Sequence, residues 1–322
     1  MNTITFLLEP VAPFRLDLTV LALRRRMDNV IDRWDGETYR RLLIIGNKPV
    51  AVAVEQVGPI NAPRLRVAAS GDPTSKVKAN VIAVLNRLLG LRIDLEHFYN
   101  LAARDARLAG LVDKLRGLKP PRYPSIFEAL VNGIICQQFT LTNGIRTLNR
   151  LALACGVSPD GYNHAFPRPS DLISLEPAAL RELKLSWQKI RALTELSRGV
   201  INGTFDSEHL SKLNDETAIT RLTDLWGVGR WTAEYALLRG LGRLHIFPCD
   251  DVGARNNLAK WLGRREPFDY AGAKRALSKW NPFAGLIYFH LLVLGLETSE
   301  SAPWPGGRPV AESPASLLNN VG

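Results

Sequence analysis

The segment Leu222-Thr-Asp-Leu-Trp-Gly-Val-Gly-Arg-Trp-Thr-Ala-Glu-Tyr235 constrains the fold more than any other stretch of this chain. Ile219, Leu222 and Trp226 recur at helical spacing on one side of the glycines, and Ala233, Ala236 and Leu237 on the other. Two amphipathic helices must therefore reverse direction across Gly227-Val228-Gly229. Gly227 can end the first helix in the left-handed region that side chains avoid. Gly229 is expected to sharpen the turn and to let the backbone come close to a ligand. The amides that open the second helix, from Arg230 on, lack intrahelical partners and sit at the positive end of its dipole. Such a hairpin is a ready phosphate site. A plain helix–turn–helix packing corner accounts for the same residues. A dinucleotide loop does not, because no strand precedes it and the spacing is G-x-G-x-x-T.

The sequence around this hairpin is helical almost throughout. Ser125-Ile-Phe-Glu128 reads as a capping box, in which serine and glutamate satisfy free amides at a helix start. Ile126, Phe127, Leu130, Val131, Ile134 and Ile135 form the apolar face that follows. A second helix runs to Cys155 and stops at Gly156. Further helices are expected at 171–183, 188–202, 216–226, 230–240, 251–263, 270–279 and 283–296. The first hundred residues differ. Thr3–Leu8 and Arg64–Ala69 are strand-like, and Tyr39–Ile45 and Val50–Gln56 flank the turn Gly46-Asn47-Lys48. Leu16–Arg26, ending in Arg24-Arg25-Arg26, and Ser75–Leu89 have helical spacing. The expected architecture is mainly α: a small α+β domain over residues 1–97, an all-helical domain over 98–298, and a flexible tail, 299–322, with no periodicity.

Composition narrows the partner. The chain carries 41 Lys+Arg against 31 Asp+Glu, a net +10, which favours a polyanion. Over residues 221–265 the balance is 8 basic to 4 acidic groups. Cys136, Cys155 and Cys249 form no C-x-x-C pair, which excludes zinc ribbons and cysteine-ligated iron–sulfur clusters, and all three are expected as small buried hydrophobes. The five histidines show no metal-ligand spacing. The longest apolar run, Phe283–Leu296, is 14 residues and reads as a core helix, since a membrane span needs about 20. The N-terminus lacks a basic n-region and reaches Glu9, so it does not read as a secretory signal. A cytoplasmic protein is expected.

Some twenty residues after the hairpin comes Ile246-Phe-Pro-Cys-Asp-Asp-Val-Gly-Ala-Arg255. Taken alone, the two carboxylates read as a helix N-cap and a dipole-favoured neighbour. Together with three other segments they carry a resemblance. Lys119-Pro-Pro-Arg-Tyr-Pro-Ser-Ile-Phe-Glu-Ala-Leu130, Ile134-Ile-Cys-Gln-Gln138, Leu225-Trp-Gly-Val-Gly-Arg-Trp-Thr-Ala233 and Phe247-Pro-Cys-Asp-Asp251 stand in the order found in the helix-hairpin-helix (HhH-GPD) DNA glycosylase superfamily. The chain most resembles the 3-methyladenine DNA glycosylase II (AlkA) type. Pro13-Phe-Arg-Leu-Asp-Leu18 and Asp32-Arg-Trp-Asp-Gly36 fit that type's TBP-like accessory domain.

The resemblance implies a monomeric enzyme that flips a damaged base out of double-stranded DNA and hydrolyses its N-glycosidic bond. The substrates would be alkylated purines of the 3-methyladenine and 7-methylguanine type. It implies no membrane partner and a place on the nucleoid through DNA binding. Asp251 matches the catalytic aspartate, with Asp250 the neighbouring candidate. Trp231 and Tyr235, at i and i+4, would line the base pocket with Gln137, although two core aromatics at that spacing are the plainer reading. Gln138 would fill the gap left in the duplex, where the best-known relative has an apolar wedge. Relatives that also cut the strand place a lysine where this chain has Trp231, which implies a glycosylase without lyase activity. Leu292 stands where that relative has a pocket tryptophan, and Ala284 replaces an arginine common nearby. Gly227, Val228, Gly229 and Arg230 would hold a DNA phosphate. The carbonyls of Thr223, Leu225 and Val228 would hold a structural sodium or potassium ion, and no other cofactor is implied. Two other functions fit the same motifs: a glycosylase for deaminated or oxidised bases, and a non-catalytic DNA-binding module. The retained Asp251 and the aromatic pair argue against the second.

Overall fold

The computed structural model describes residues 3–70 and 74–300. The expected tail therefore lies outside the described residues, except for its first two positions, which end the last helix.

The N-terminal part is a five-stranded antiparallel sheet of order β1-β5-β4-β3-β2. Its strands are β1 (Thr3–Leu8), β2 (Arg33–Trp34), β3 (Thr38–Ile45), β4 (Lys48–Gln56) and β5 (Leu65–Ser70). Period-2 alternation buries one face: Val50, Val52 and Val54 on β4, and Leu65, Val67 and Ala69 on β5. The two-residue β2 was too short for pattern to reveal. Two helices accompany the sheet, α1 (Leu16–Arg24) and α2 (Ser75–Leu88). α2 turns Val81, Leu85 and Leu88 inward. α1 is buried on two sides, with Asp17 and Leu21 left partly exposed between them. Leu16, Val20 and Leu23 join the core under the sheet, and Leu18 and Ala22 join the core of the helical body.

The body comprises α3 (Glu96–Ala102), α4 (Ala106–Val112), α5 (Ile126–Cys136), α6 (Leu141–Cys155), α7 (Pro169–Ser174), α8 (Pro177–Glu182), α9 (Trp187–Ile201), α10 (Ser207–Lys212), α11 (Asp215–Thr223), α12 (Arg230–Ala236), α13 (Val252–Trp261), α14 (Tyr270–Leu277) and α15 (Ala284–Glu300). The single helix expected at 171–183 is two. Pro177 cannot continue α7, and Leu175 and Glu176 before it are extended. α12 runs on through a π turn, Leu237–Leu241, and α15 extends four residues past the expected Leu296.

The capping box at α5 is only half formed. The Ser125 hydroxyl accepts the Glu128 amide at 3.1 Å, but the Glu128 carboxylate does not return to residue 125. It accepts two hydrogen bonds from Arg41 on β3, at 2.6 and 2.8 Å. Arg41 also donates to Asp32 at 2.7 Å, and the Tyr39 hydroxyl donates to the same carboxylate oxygen at 2.7 Å. This buried cluster ties the sheet to the helical body.

α15 passes close over the chain that leads to the two aspartates. At Gly285 a side chain would lie 2.7 Å from the carbonyl oxygens of Leu244 and Ile246. Deeper in α15, His290 is buried against Phe98, and its Nδ1–H donates to the Leu286 carbonyl at 2.8 Å. Burial pushes its pKa down from 6.5 to about 4. The unfolded chain therefore takes up this proton at higher pH than the folded one. His290's part in stability is fully present above about pH 6.5 and is lost as pH falls through about 4, a change of about 3 kcal/mol. Urea unfolding of the wild type and His290→Leu at pH 7 and pH 4 should show a flatter pH dependence in the variant. Parallel pH profiles would refute this role.

Candidate active site

The hairpin forms between α11 and α12. Gly227 lies at φ +76°, and a Cβ there would sit 2.7 Å from that of Ala192 on α9, so both the turn and the close packing need glycine. Gly229 differs from expectation. Its φ is −93°, so it does not sharpen the turn; it opens α12 without a side-chain cap, and the space around it is free. Val228 is buried and donates its amide to the Leu225 carbonyl at 3.1 Å, which closes the turn. Arg191 stacks on the exposed ring of Trp226 at 3.6 Å beside it.

Next to the hairpin opens a cleft of about 1040 Å³, lined from α5, α12, α13, α15 and the end of α1. Its volume is at the upper end for small-ligand pockets. The structure separates the two aspartates. Asp251 is the N-cap of α13: its Oδ1 accepts the Ala254 amide at 2.9 Å, and its Oδ2 accepts the indole Nε1–H of Trp231 at 3.2 Å. Asp250 pairs with Arg230 at 2.7 Å, and that guanidinium lies 3.8 Å over the Tyr270 ring. The Arg230 charge expected to meet phosphate is therefore already balanced by a carboxylate.

The loop carrying Asp251 is held from below. Glu234, buried on α12, accepts the Cys249 amide at 3.2 Å and the Tyr270 hydroxyl at 2.7 Å. Burial pushes its pKa up.

Trp231 and Tyr235 meet at 5.5 Å between ring centroids, tilted by 31°. Trp231 is half-buried and Tyr235 buried, so they line one wall and continue into the core. The Tyr235 hydroxyl lies 2.9 Å from that of Tyr123 and accepts from Arg25 at 3.2 Å. Gln137 reaches the cleft, but its amide is committed to the Gly227 carbonyl and the Thr232 hydroxyl, both at 2.8 Å. It braces the hairpin against the end of α5. Gln138 is exposed at the mouth with φ +55°, a conformation uncommon for a side-chain-bearing residue and held at a cost. Leu292 lines the cleft, whereas Ala284 is buried in the core outside it.

Arg25, Cys136 and Tyr288 also line this cleft, and pattern reading missed all three roles. Arg25 read only as the basic end of a helix. Tyr288 sat inside an apolar run that marked a core. Cys136 was expected as a buried hydrophobe, and both it and Cys155 are half-buried; only Cys249 is fully buried.

The sequence pattern described as "HhH-GPD superfamily base excision DNA repair protein" matches residues 131–282. The Escherichia coli K12 protein named DNA-3-methyladenine glycosylase 2 is 25% identical over 257 residues, 79% of this chain and 84% of that one. Among solved structures, the 3-methyladenine DNA-glycosylase from Archaeoglobus fulgidus superposes with a TM-score of 0.79 at 23% identity, covering 91% of this chain and 99% of that one. The Clostridium acetobutylicum 8-oxoguanine glycosylase/lyase, solved with double-stranded DNA, gives 0.70 at 18% identity, covering 91% and 98%. At these identities the two structures establish a shared fold.

Proposed function

Because residues 131–282 belong to the HhH-GPD superfamily of base excision DNA repair proteins, we propose that this chain hydrolyses the N-glycosidic bond of alkylated purines in double-stranded DNA and leaves an abasic site. The observation that carries this reading is the Asp251 carboxylate, held against the Trp231 indole in a cleft beside an uncapped hairpin. A base inside a duplex is out of reach, so it must be flipped into such a cleft. The Trp231 and Tyr235 faces suit a cationic alkylated purine through stacking and cation–π attraction. As the C1′–N bond breaks, its electron pair moves to the base and positive charge grows on the sugar. Asp251 stabilises that charge and orients or deprotonates the attacking water. Gln138 stands at the mouth, where the emptied position in the duplex would be filled.

Strand cleavage by a Schiff base requires an amine at the reacting sugar. Trp231 stands at the position where lyase-active relatives carry lysine. Lys189, behind the end of α5, gives its ammonium to the Ile135 and Gln137 carbonyls at 2.8 Å each. The enzyme is therefore monofunctional in this proposal.

The α12 amides at Gly229 and Arg230 would take a DNA phosphate. The Thr223, Leu225 and Val228 carbonyls would hold a sodium or potassium ion, which would add positive charge beside that phosphate. DNA binding indifferent to replacing potassium by a bulky organic cation would remove the ion from this scheme. No helix among the described residues is long and apolar enough to cross a membrane. A monomer in the cytoplasm, on the nucleoid, with an accessory domain of TBP-like topology completes the proposal.

The experiment is incubation of the purified chain with methylated DNA. Free 3-methyladenine and 7-methylguanine should appear, with no strand break until alkali or heat and no borohydride-trapped adduct. Absence of released base would overturn the proposal. A trapped adduct would overturn only its monofunctional part.

A further inference from the structure

The floor of the cleft holds a cation hydrogen-bonded only to neutral groups. Arg25 closes α1 in the left-handed conformation, φ +62°, and its side chain reaches from the accessory domain into the helical body. Nη1 donates to the Tyr235 hydroxyl at 3.2 Å and Nη2 to Asn132 Oδ1 at 2.7 Å, while Nε is buried without a partner among the described residues. Arg25 as a residue is 6% exposed, with Tyr123, Tyr235, Cys136 and Tyr288 around its guanidinium. Glu128, one helical turn before Asn132, is committed to Arg41. Asp250 at the cleft is committed to Arg230. A guanidinium stays charged, and burying it against neutral groups is costly.

The two opposite charges of the site are one helical turn apart along α12. The Asp251 carboxylate meets Trp231, and the Arg25 guanidinium meets Tyr235. A base laid along this wall with its sugar bond at the anion would turn its far edge toward the cation. That field pulls electrons from sugar to base.

We propose that Arg25 is a specificity-determining residue, which stabilises the negative charge an uncharged purine acquires as it leaves. This rests on the glycosylase reading above. In both cases water adds its oxygen to C1′ and the C1′–N electron pair goes to the departing base. With a cationic alkylated base that pair cancels the ring charge, so the base leaves neutral and the proton of water passes to Asp251 or solvent. An uncharged base leaves as an anion and then takes up that proton. Only the second path develops negative charge near Arg25. For a base already cationic, Arg25 contributes repulsion instead.

The test compares single-turnover release of hypoxanthine from a duplex with release of 7-methylguanine from methylated DNA. Wild type, Arg25→Met and Arg25→Lys are compared, with folding checked by circular dichroism. Removing the charge should slow hypoxanthine release by about 10- to 100-fold while 7-methylguanine release holds or rises. Arg25→Lys should stay close to the wild-type ratio. Equal losses on both substrates would overturn the proposal, since Arg25 would then only join the two parts of the molecule. If Arg25→Met fails to fold, a wild-type ratio in Arg25→Lys supports the charge role, and a collapsed ratio overturns it. A wild type that releases 7-methylguanine but no hypoxanthine overturns this inference alone. One that releases neither overturns the glycosylase reading beneath it.

Discussion

Asp251→Asn should slow single-turnover release of 3-methyladenine by about 10²- to 10⁴-fold, or about 3–5 kcal/mol of transition-state stabilisation. The amide is nearly isosteric, and its oxygen can still accept the Ala254 amide that Asp251 caps at 2.9 Å. The α13 start should therefore survive, and affinity for abasic-site DNA with it. What disappears is the fixed negative charge facing the growing charge on the sugar. Asp250→Asn serves as the internal control. Its carboxylate is already balanced by Arg230, so its loss should cost less than about tenfold. Near-full activity in Asp251→Asn, or a larger loss in Asp250→Asn, would move the chemistry off Asp251.

Arg41→Met should cost the folded state about 3–5 kcal/mol, because it leaves two buried carboxylates facing each other without their cation. Asp32, Arg41 and Glu128 are each 5% exposed or less. Burial already pushes the Glu128 pKa up, and the Arg41 charge is what opposes that shift. Without Arg41, that upward shift of Glu128 should grow. Urea unfolding of Arg41→Met should accordingly recover part of the lost stability as pH falls from 7 to 5. A loss below about 1 kcal/mol would mean that the cluster fixes the geometry of the two parts without stabilising them.

The elements that line the cleft were legible where they are local. Gly227 at a helix end, the i, i+4 pair Trp231 and Tyr235, and a carboxylate at a helix start each follow from backbone geometry a few residues wide. Strand periodicity placed four of the five strands for the same reason. Local pattern misassigned side chains whose partners are remote in sequence. Glu128 suited a capping box, yet its partner is 87 residues away on β3. Gln137 suited the pocket, yet its amide meets a carbonyl 90 residues on.

The residues alone determined that this chain builds a helical hairpin followed by an acid, after a small α+β segment, with the means to meet a polyanion. They put Asp251 ahead of Asp250 by resemblance alone. The tertiary structure gives the two different partners, since Arg230 takes one and the Trp231 indole meets the other. It also decided the charge at the cleft floor. The direction of the Arg25 side chain depends on a left-handed residue at the end of a helix packed between the sheet and the helical body. A one-dimensional pattern records that such a helix is apolar; it does not record where its last residue is delivered.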